Sequence, residues 1–291
     1  MKWSGAFRRF ALLGAVLLAL LTIPPPIGAQ EGRAKDANRI VVDGSTTVGP
    51  IAKAFAEYYT SQHLEVSISV SESGSGNGAK ALINGVCDVA DMSRFMKENE
   101  FKAAVEKGVL PVATVVAMDG LPIIVHPSNP VRNLTVDQIR GIYTGKYTSW
   151  REVGGPDVKI VKVSRDTNSG TYETFESLVM KGERIAADAE YVGSNGAVRQ
   201  RVQSTPAAIG YAGLGFVDGS VKAISVNGIY PDRATVSSGR YPIARPLFMF
   251  TNGYPELGTH LHAFLTLYLT QHGQEIVEDI GYVPVTNYAE K

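Results

Sequence analysis

A polar loop between an apolar strand pattern and an apolar helix pattern carries the residues best suited to chemistry. The loop spans residues 164–170, with Arg165 near its start and Ser169, Gly170 and Thr171 at its end. Small residues at a helix start leave backbone N–H groups accessible, and these groups together with the positive end of the helix dipole favour an anion. Arg165 adds a fixed positive charge to the same corner. The corner is therefore a candidate anion site, and its simpler interpretation is an N-capped helix beside a surface arginine.

Three further strand-to-helix corners carry hydroxyl groups, glycines or an arginine. They contain Thr46-Thr47, the glycine-rich residues 74–78 and Ser93-Arg94. Ligands of open α/β sheets bind at the carboxyl ends of strands, where such corners occur. We expect the four corners to face one another across a cleft and to surround a compact tetrahedral oxyanion, whose oxygens accept bonds from hydroxyl, N–H and guanidinium groups. The glycine-rich corner has no Walker lysine and fits no dinucleotide fingerprint.

Apolar side chains alternate, or recur at helical spacing, along most of the chain. This pattern predicts alternating strands and helices, which would position the corners. The predicted strands are residues 39–42, 65–70, 86–90, 110–117, 121–126, 158–163, 208–212, 221–226 and 246–251. The predicted helices begin near residues 50, 79, 94, 135, 171 and 195, and a last long helix is predicted for residues 256–272. This order predicts α/β lobes whose sheets are covered by helices on both faces.

Capping residues are predicted for several helices. Thr46 or Thr47 would cap the first helix, and Ser93 would cap the helix after the third strand. Thr135 and Gln138 have the spacing of a capping box. Ser194-Asn195 would cap the helix that follows the corner of Arg165 and Thr171 in the chain.

The sequence also predicts which face of two helices is buried and, for the last helix, where it ends. The helix after the third strand would turn Phe101, Ala104 and Val105 toward the core. The last long helix would bury Leu257 and end at Gly273.

The chain is predicted to cross twice between two lobes. Met118-Asp119-Gly120 would separate two apolar strands at the first crossing, and the strand at residues 246–251 would make the return. Lobe 1 is then predicted to contain residues 39–118 and 244–291, and lobe 2 residues 119–243.

The first 29 residues are predicted to be an export signal peptide. Lys2, Arg8 and Arg9 precede an apolar run at residues 10–23, and small residues lead to a cleavage site near Ala29. The run is shorter than a typical membrane-spanning helix, although an uncleaved anchor is the alternative. Residues 30–38 would form a flexible leader, and the mature protein would be periplasmic.

Charge and residue usage exclude several classes of function. Removal of the signal peptide takes three of the 28 Lys and Arg residues and none of the 28 Asp and Glu residues, which leaves a net charge of about −3. Nucleic-acid binding is therefore not expected. Cys87 is the only cysteine, so it forms no intrachain disulfide and is expected to be a small buried hydrophobe in the third strand. The five histidines show no metal-ligand spacing, so neither a metal nor a cofactor is predicted.

Seven motifs occur in a fixed order along the chain. They are DGSTTVGP at 43–50, SGSGNG at 73–78, SRFMK at 93–97, DQIRGIYTGKYTSWREVGG at 137–155, SRDTNSGTYETF at 164–175, AIGYAGLGF at 208–216 and GYVPV at 281–285. In these motifs the chain resembles the phosphate-binding proteins of bacterial ABC import systems, the Pst type, over most of its mature length. The resemblance implies a two-lobed α/β fold of the periplasmic-binding-protein type II, with two crossings and a mostly parallel sheet in each lobe.

The resemblance also implies a set of phosphate ligands. In the first lobe, Thr46 would contribute its hydroxyl, Thr47 its amide and Ser75 both groups. In the second lobe, Arg165 would be the cation, and the segment Ser169-Gly170-Thr171 would complete the cradle.

Ser93 departs from the pattern of some family members, which have an aspartate there. That carboxylate accepts the proton of monohydrogen phosphate and repels fully ionised sulfate, so it contributes selectivity. Asp119 is our candidate for the missing acceptor, ahead of Asp91 and Asp166, and its simpler interpretation is a turn residue before Gly120. Arg94 is a second candidate cationic ligand, with a solvated surface charge as the alternative.

Two functions follow from the sequence. The first is a non-catalytic, monomeric binding protein that closes over phosphate and delivers it to a membrane-embedded ABC permease. The second is an exported phosphate-ester hydrolase with Ser75 or Ser169 as nucleophile, but neither serine has a histidine or lysine base nearby in the sequence. A binder of another tetrahedral oxyanion, such as sulfate, is a variant of the first function.

Overall fold

The computed structural model describes residues 36–286. The predicted signal peptide, its cleavage site near Ala29 and most of the predicted leader at residues 30–38 lie outside the described residues. From Ala37 onward the described chain forms one compact unit. Within residues 36–286, no helix combines the length and the apolar character needed to cross a membrane.

Strands and helices alternate along the described chain, as the sequence predicts. The strands are β1 (Arg39–Gly44), β2 (Ser67–Ser71), β3 (Val89–Met92), β4 (Pro111–Gly120), β5 (Ile123–Val125), β6 (Asn133–Leu134), β7 (Val161–Arg165), β8 (Glu190–Val192), β9 (Ala208–Tyr211), β10 (Lys222–Val226) and β11 (Ala244–Asn252). The α-helices are α1 (Gly49–Gln62), α2 (Ser75–Ile83), α3 (Glu98–Glu106), α4 (Val136–Tyr143), α5 (Gly170–Phe175), α6 (Asn195–Gln203), α7 (Arg233–Ser237), α8 (His260–Leu265) and α9 (Gln271–Asp279). A π-helical segment, Glu176–Met180, continues α5, and short 3-10 segments lie at Trp150–Val153, Leu214–Phe216 and Thr266–Leu269.

The strands form two sheets. The first sheet has the order β2-β1-β3-β11-β4, and the second has the order β6-β10-β5-β9-β7-β8. In the first sheet only β11 runs against the others, and in the second only β5 does. The prediction of two mostly parallel sheets flanked by helices is therefore confirmed.

The chain passes between the two sheets through β4 and β11. These strands pair antiparallel from Pro111 opposite Asn252 to Gly120 opposite Ala244. Near the C-terminus, Val283 exchanges backbone hydrogen bonds of 2.8 and 3.0 Å with Met118 of β4. The division into lobes at residues 118/119 and 243/244 stays a prediction.

Each sheet has its own buried core. On the first sheet, α1 buries Ile51, Phe55 and Tyr59, which recur at helical spacing on one face. On the second sheet, the ring of Phe175 stacks on that of Tyr211, with centroids 3.9 Å apart and planes at 5°. These cores hold the strand ends, and hence the corners, in fixed positions.

The predicted inner face of the third helix is wrong. That helix, α3, begins at Glu98 after Lys97, and only Ala104 of the three predicted positions is buried. Phe101 is 38% exposed and Val105 is 50% exposed. The helix begins later than predicted because Ser93 does not cap it.

The predicted long C-terminal helix is also wrong. The hydroxyls of Thr259 and Thr270 each accept a backbone N–H at an N-cap, so the segment contains two helix starts instead of one. Leu257 precedes both helices and is 82% exposed. Gly273 lies inside the first turn of α9 and does not end a helix. The position requires glycine because a Cβ there would lie 2.0 Å from the carbonyl oxygen of Leu267.

Three strand predictions need smaller corrections. Met118-Asp119-Gly120 does not separate two strands, since pairing with β11 extends β4 to Gly120. Cys87 is buried as predicted, but it precedes the strand, which begins at Val89. Likewise β7 begins at Val161, and the predicted first residue, Val158, is 44% exposed.

Replacement of Phe55 tests the core of the first sheet. Phe55→Ala should lower the free energy of unfolding by about 3–5 kcal/mol, because it removes a fully buried ring and leaves a cavity. Phe101→Ala is the matched control on another helix of the same sheet, and its loss should be about 1 kcal/mol or less. Chemical denaturation measures both values, and equal losses would contradict the assignment of the core.

Candidate functional site

The corner between β7 and α5 starts a helix where the sequence predicts one, but two of its N–H groups are capped. Ser169 is the N-cap of α5, and its hydroxyl accepts bonds from the N–H groups of Thr171 at 3.2 Å and Tyr172 at 3.3 Å. Gly170 packs directly against the first sheet, because a Cβ there would lie 2.5 Å from Ser75 Oγ and 2.7 Å from Ser93 Oγ. Glycine therefore permits corners of the two sheets to meet.

The corner between β1 and α1 differs from the prediction in its cap. The N-cap position is Val48, and the hydroxyl of Ser45 accepts from the N–H groups of Thr47 at 3.1 Å and Val48 at 3.4 Å. Thr46 and Thr47 do not cap the helix, because their hydroxyls are bonded elsewhere. Asn195 Nδ2 donates to Thr46 Oγ1 at 3.1 Å and to Thr47 Oγ1 at 2.9 Å.

Ser75 and Ser93 bring the other two first-sheet corners together. Their hydroxyl oxygens lie 3.3 Å apart, and the Ser93 N–H donates to Ser75 Oγ at 3.1 Å. Ser93 is therefore not a helix cap. Gly76 donates its N–H across to the carbonyl oxygen of Asn168 at 3.0 Å, so this corner also contacts the loop before α5.

Arg245 is the centre of the hydroxyl cluster, and the sequence analysis did not identify it. Its Nη2 donates to Thr171 Oγ1 at 3.0 Å, to Thr47 Oγ1 at 3.4 Å and to Asp119 Oδ2 at 2.9 Å. Its Nη1 donates to Thr174 Oγ1 at 3.2 Å. The two threonine hydroxyls, Thr47 and Thr171, are themselves 3.0 Å apart. One guanidinium therefore contacts a hydroxyl from the β1–α1 corner of the first sheet and hydroxyls from α5, which follows a strand of the second sheet.

Asn195 and Thr174 were also missed as site residues. Asn195 was predicted only as a capping residue, and Ser194 is the actual cap of α6. The signal for Arg245 was its position one residue before the predicted return strand, opposite an acid at the first crossing. In the structure Arg245 and Asp119 are direct partners across β11 and β4.

Asp119 is fully buried and charge-paired. Oδ2 accepts from Arg245 Nε at 3.0 Å as well as from Nη2, and Oδ1 accepts from the Leu214 N–H at 2.8 Å. Burial raises the pKa of Asp119, and the opposing effects of the Arg245 charge and the Leu214 bond only partly offset it. Each carboxylate oxygen has about two acceptor positions, so Oδ1 retains one.

Arg165, the predicted cation, is buried at the end of β7, with 1% of its surface exposed. Nε donates to the carbonyl oxygen of Val192 at 3.2 Å and Nη2 to that of Gly193 at 2.9 Å, while Asp166 lies 3.7 Å from Nη2. Nη1 is buried without a hydrogen-bond partner among residues 36–286. Burial lowers the pKa of Arg165, but arginine remains charged because its usual value lies far above 7. A charged donor is therefore left to bind another group.

Arg94 contacts carboxylates instead of the hydroxyl cluster. Its Nη1 and Nη2 each donate to Glu100 at 2.7 Å, and its Nε contacts the Glu173 carboxylate of α5. Lys97 Nζ lies 2.6 Å from the same Glu173. These contacts form an ion-pair network between the Ser93-Arg94 corner and α5.

Asp91 and Asp166, the other candidate proton acceptors, lie in different surroundings. Asp91 is fully buried, and neither carboxyl oxygen has a hydrogen-bond partner among the described residues. Burial, and then the charges of Glu72 and Asp43, raise the pKa of Asp91 well above its usual value. Asp166 accepts from the Asn168 N–H at 2.9 Å and orders the loop after β7.

The structure thus brings most of the predicted residues to one place. Thr47 contacts Thr171, and Ser75 contacts Ser93 beside Gly170, the residue before Thr171. Thr46 joins them through Asn195 and Asp119 joins them through Arg245, while Ser169 holds the start of α5.

Comparison with known proteins identifies a family with the same architecture. A PBP superfamily domain matches residues 29–271. The phosphate-binding protein PstS of Borreliella burgdorferi is 31% identical, over 86% of this chain and 92% of that protein. The PstS of Bacillus subtilis is 31% identical, over 89% of this chain and 85% of that protein.

Solved structures agree with these sequence matches. A putative phosphate ABC transporter substrate-binding protein from Clostridium perfringens, with bound phosphate, is 34% identical and superposes with a TM-score of 0.80, covering 86% of this chain and all of that one (100%). An ABC-type phosphate transport receptor from Vibrio cholerae is 34% identical with a TM-score of 0.68, covering 84% and 99% of the two chains.

Asp91→Asn tests the buried acid beneath the site. A carboxyl whose pKa is raised by folding contributes stability below its unfolded pKa of about 3.9, and that contribution is lost as pH rises toward the folded value. The unfolding free energy of Asp91→Asn should therefore increase relative to wild type as pH rises from about 4 to 7. Urea denaturation at a series of pH values measures this difference. Asp157→Asn, at a carboxylate that is 69% exposed, should show little change, and a flat profile for Asp91→Asn would contradict the assigned shift.

Proposed function

The chain belongs to the PBP superfamily and, within it, to the phosphate-binding proteins of ABC importers, and on this premise we propose how it captures phosphate. It is a substrate-binding protein that takes up inorganic phosphate for ABC import. The convergence of hydroxyls from both sheets on Arg245 is the observation that supports this site, and the unpartnered buried Nη1 of Arg165 adds a second charged donor.

Hydroxyl groups that contact one another can also hold an anion. Each serine or threonine hydroxyl is both donor and acceptor and rotates freely, so the bonds between Thr47 and Thr171 and between Ser75 and Ser93 can be exchanged for bonds to phosphate oxygens. We assign these hydroxyls and that of Thr46 to the ligand set. Backbone N–H groups in both corners add further donors. Those of Ser75 and Gly170 are such donors. The N–H groups of Thr47 and Thr171 would exchange their present bonds to the Ser45 and Ser169 hydroxyls for bonds to phosphate, while Ser169 still caps α5 through the N–H of Tyr172.

Two guanidiniums balance the charge of the anion. Arg165 is the cation carried over from the family pattern, and we add Arg245, which contacts Thr47 and Thr171 directly. Monohydrogen phosphate carries two negative charges, and charge-assisted bonds from arginine are about twice as strong as neutral ones. Asp119 neutralises part of this positive charge and offers the free acceptor position on Oδ1 to the phosphate proton.

Arg94 has a different role in our proposal. Its guanidinium is taken by Glu100 and Glu173, and these contacts join the Ser93-Arg94 corner to α5. We therefore propose that Arg94 stabilises the closed arrangement of the two sheets. The predicted ligand role for Arg94 has no support from its present partners.

A hydrolytic function has less support. The relatives are substrate-binding transport proteins, and the candidate nucleophiles Ser75 and Ser169 contact hydroxyl and backbone groups within the described residues. A nucleophilic serine needs an adjacent general base. Hydrolysis of a chromogenic phosphate ester that disappears in Ser75→Ala or Ser169→Ala would favour the hydrolase.

Export, location and partners complete the proposal. The sequence predicts an export signal, and on that ground we propose a periplasmic, monomeric protein released by cleavage near Ala29. Its protein partner would be the membrane-embedded permease of a phosphate importer. No nucleic-acid partner is proposed, since the mature chain is slightly acidic.

Arg165→Ala tests the cation of the site. Phosphate binding should weaken by about 2–5 kcal/mol, because an anion charge would be left unpaired in a buried site. Calorimetric titration of the mature protein measures this loss. Arg199→Ala removes a guanidinium that is 38% exposed and pairs with Asp218, and it should bind phosphate like wild type. A folded Arg165→Ala protein with affinity within about threefold of wild type would remove Arg165 from the site.

Asp119→Asn tests selectivity. The carboxylate accepts the proton of monohydrogen phosphate and repels sulfate, whereas an amide can donate to sulfate, so the ratio of phosphate to sulfate affinity should fall. Titrations with both anions give this ratio. General damage to the Arg245 pair would weaken binding of both anions, whereas loss of the proton acceptor changes the ratio of the two affinities. Asp166→Asn should keep the wild-type ratio. An unchanged ratio in Asp119→Asn would exclude it as the proton acceptor.

A further inference from the structure

Three side chains of the types that bind metals lie close together at the C-terminal end of α1, far from the proposed anion site. His63 follows α1, Glu65 lies two residues later, and His260 is the first residue of α8. His63 Nδ1 lies 3.6 Å from Glu65 Oε1, and His260 Nε2 lies 3.7 Å from the same oxygen. The three ligand atoms all lie within 4.8 Å of one another.

Tyr59 holds both imidazoles in position. Its hydroxyl lies 2.9 Å from His260 Nδ1, and its ring stacks on that of His63 with centroids 4.4 Å apart. When His260 Nδ1–H donates to the tyrosine oxygen, Nε2 carries the lone pair that a metal needs, and Nε2 is the atom that faces Glu65. This arrangement of a ligand histidine with a hydrogen-bonded outer partner is typical of metal sites.

The electrostatics of the surroundings also suit a cation. His63 is the C-cap of α1, whose last turn contains no basic residue. The unpaired carbonyls at a helix C-terminus carry partial negative charge, which favours a cation there. Glu65 adds a full negative charge to the same place.

We propose that His63, Glu65 and His260 form a binding site for one divalent transition metal of the zinc class, with the fourth position left to water. Two imidazoles and one carboxylate are ligands that Zn²⁺ prefers, at about 2.0–2.2 Å in a tetrahedron, which places ligand atoms roughly 3.3–3.5 Å apart. The present separations from Glu65 Oε1 are within a few tenths of an ångström of that value. The two histidine nitrogens lie within 4.8 Å of each other and can reach the tetrahedral spacing by side-chain rotation.

The bound metal would join α1 to α8 and stabilise the first-sheet half. Helix α1 has 14 residues, and the anion-site residue Thr47 precedes its N-terminal end. At 1.5 Å per residue the helix places the metal roughly 20 Å from that end. Metal binding is therefore expected to raise stability without changing phosphate affinity.

Calorimetric titration with Zn²⁺ alone tests the proposal. The mature protein is used without a histidine tag and in phosphate-free buffer, because both would bind zinc. We expect one zinc ion per wild-type chain, and loss of detectable binding in His63→Gln and His260→Gln. Tyr59→Phe keeps all three ligands but removes the outer hydrogen bond, and its zinc affinity should fall by about 10-fold or more.

Matched controls make the outcome decisive. His272→Gln removes an exposed histidine that also pairs with a carboxylate, Glu275, and it should bind zinc like wild type. Zinc should raise the melting temperature of wild type and His272→Gln but not of His260→Gln. Phosphate titration of each variant confirms that it is folded. No binding by wild type, or equal zinc affinity in wild type and His260→Gln, would overturn the proposal.

Discussion

The buried ion pair between Arg245 and Asp119 is the interaction on which the site depends. Burying two charges costs more than their attraction returns unless hydrogen bonds satisfy the remaining groups. Here the pair is formed by residues directly opposite in β4 and β11, and the guanidinium also donates to Thr47, Thr171 and Thr174. The backbone pairing that carries the chain between the sheets therefore fixes the cation at the place where the helix starts of both sheets meet.

The sequence was sufficient for the fold class and for the corners, because both depend on local patterns. Alternating apolar residues located most strands, and small polar residues after them located Thr47, Ser75 and the start of α5. Arg245 and Asn195 were not predicted as site residues, since their roles come from contacts across the two sheets that no local spacing records. The C-terminal helix was wrong for a similar reason: the caps at Thr259 and Thr270 outweigh a continuous apolar pattern.

The polar groups of the site satisfy one another in a dense network. Asn195 illustrates this, because its amide nitrogen donates to Thr46 and Thr47 while its oxygen accepts from Gly213. Such a network holds each hydroxyl within reach of its neighbours from the other sheet. Glycine at position 170 is part of the same design, since a side chain there would separate the sheets and break the contacts.

The distribution of the two sheets along the chain has a consequence for biogenesis. The strands of the second sheet all lie within one continuous stretch, from Ile123 to Val226, so they can all pair once this stretch has been synthesised. The first sheet begins with Arg39 but needs β11, which inserts between β3 and β4. Its early strands keep an unpaired edge at β3 until β11 has been synthesised. The proposed anion site, made by residues of both halves, therefore depends on completion of the first sheet.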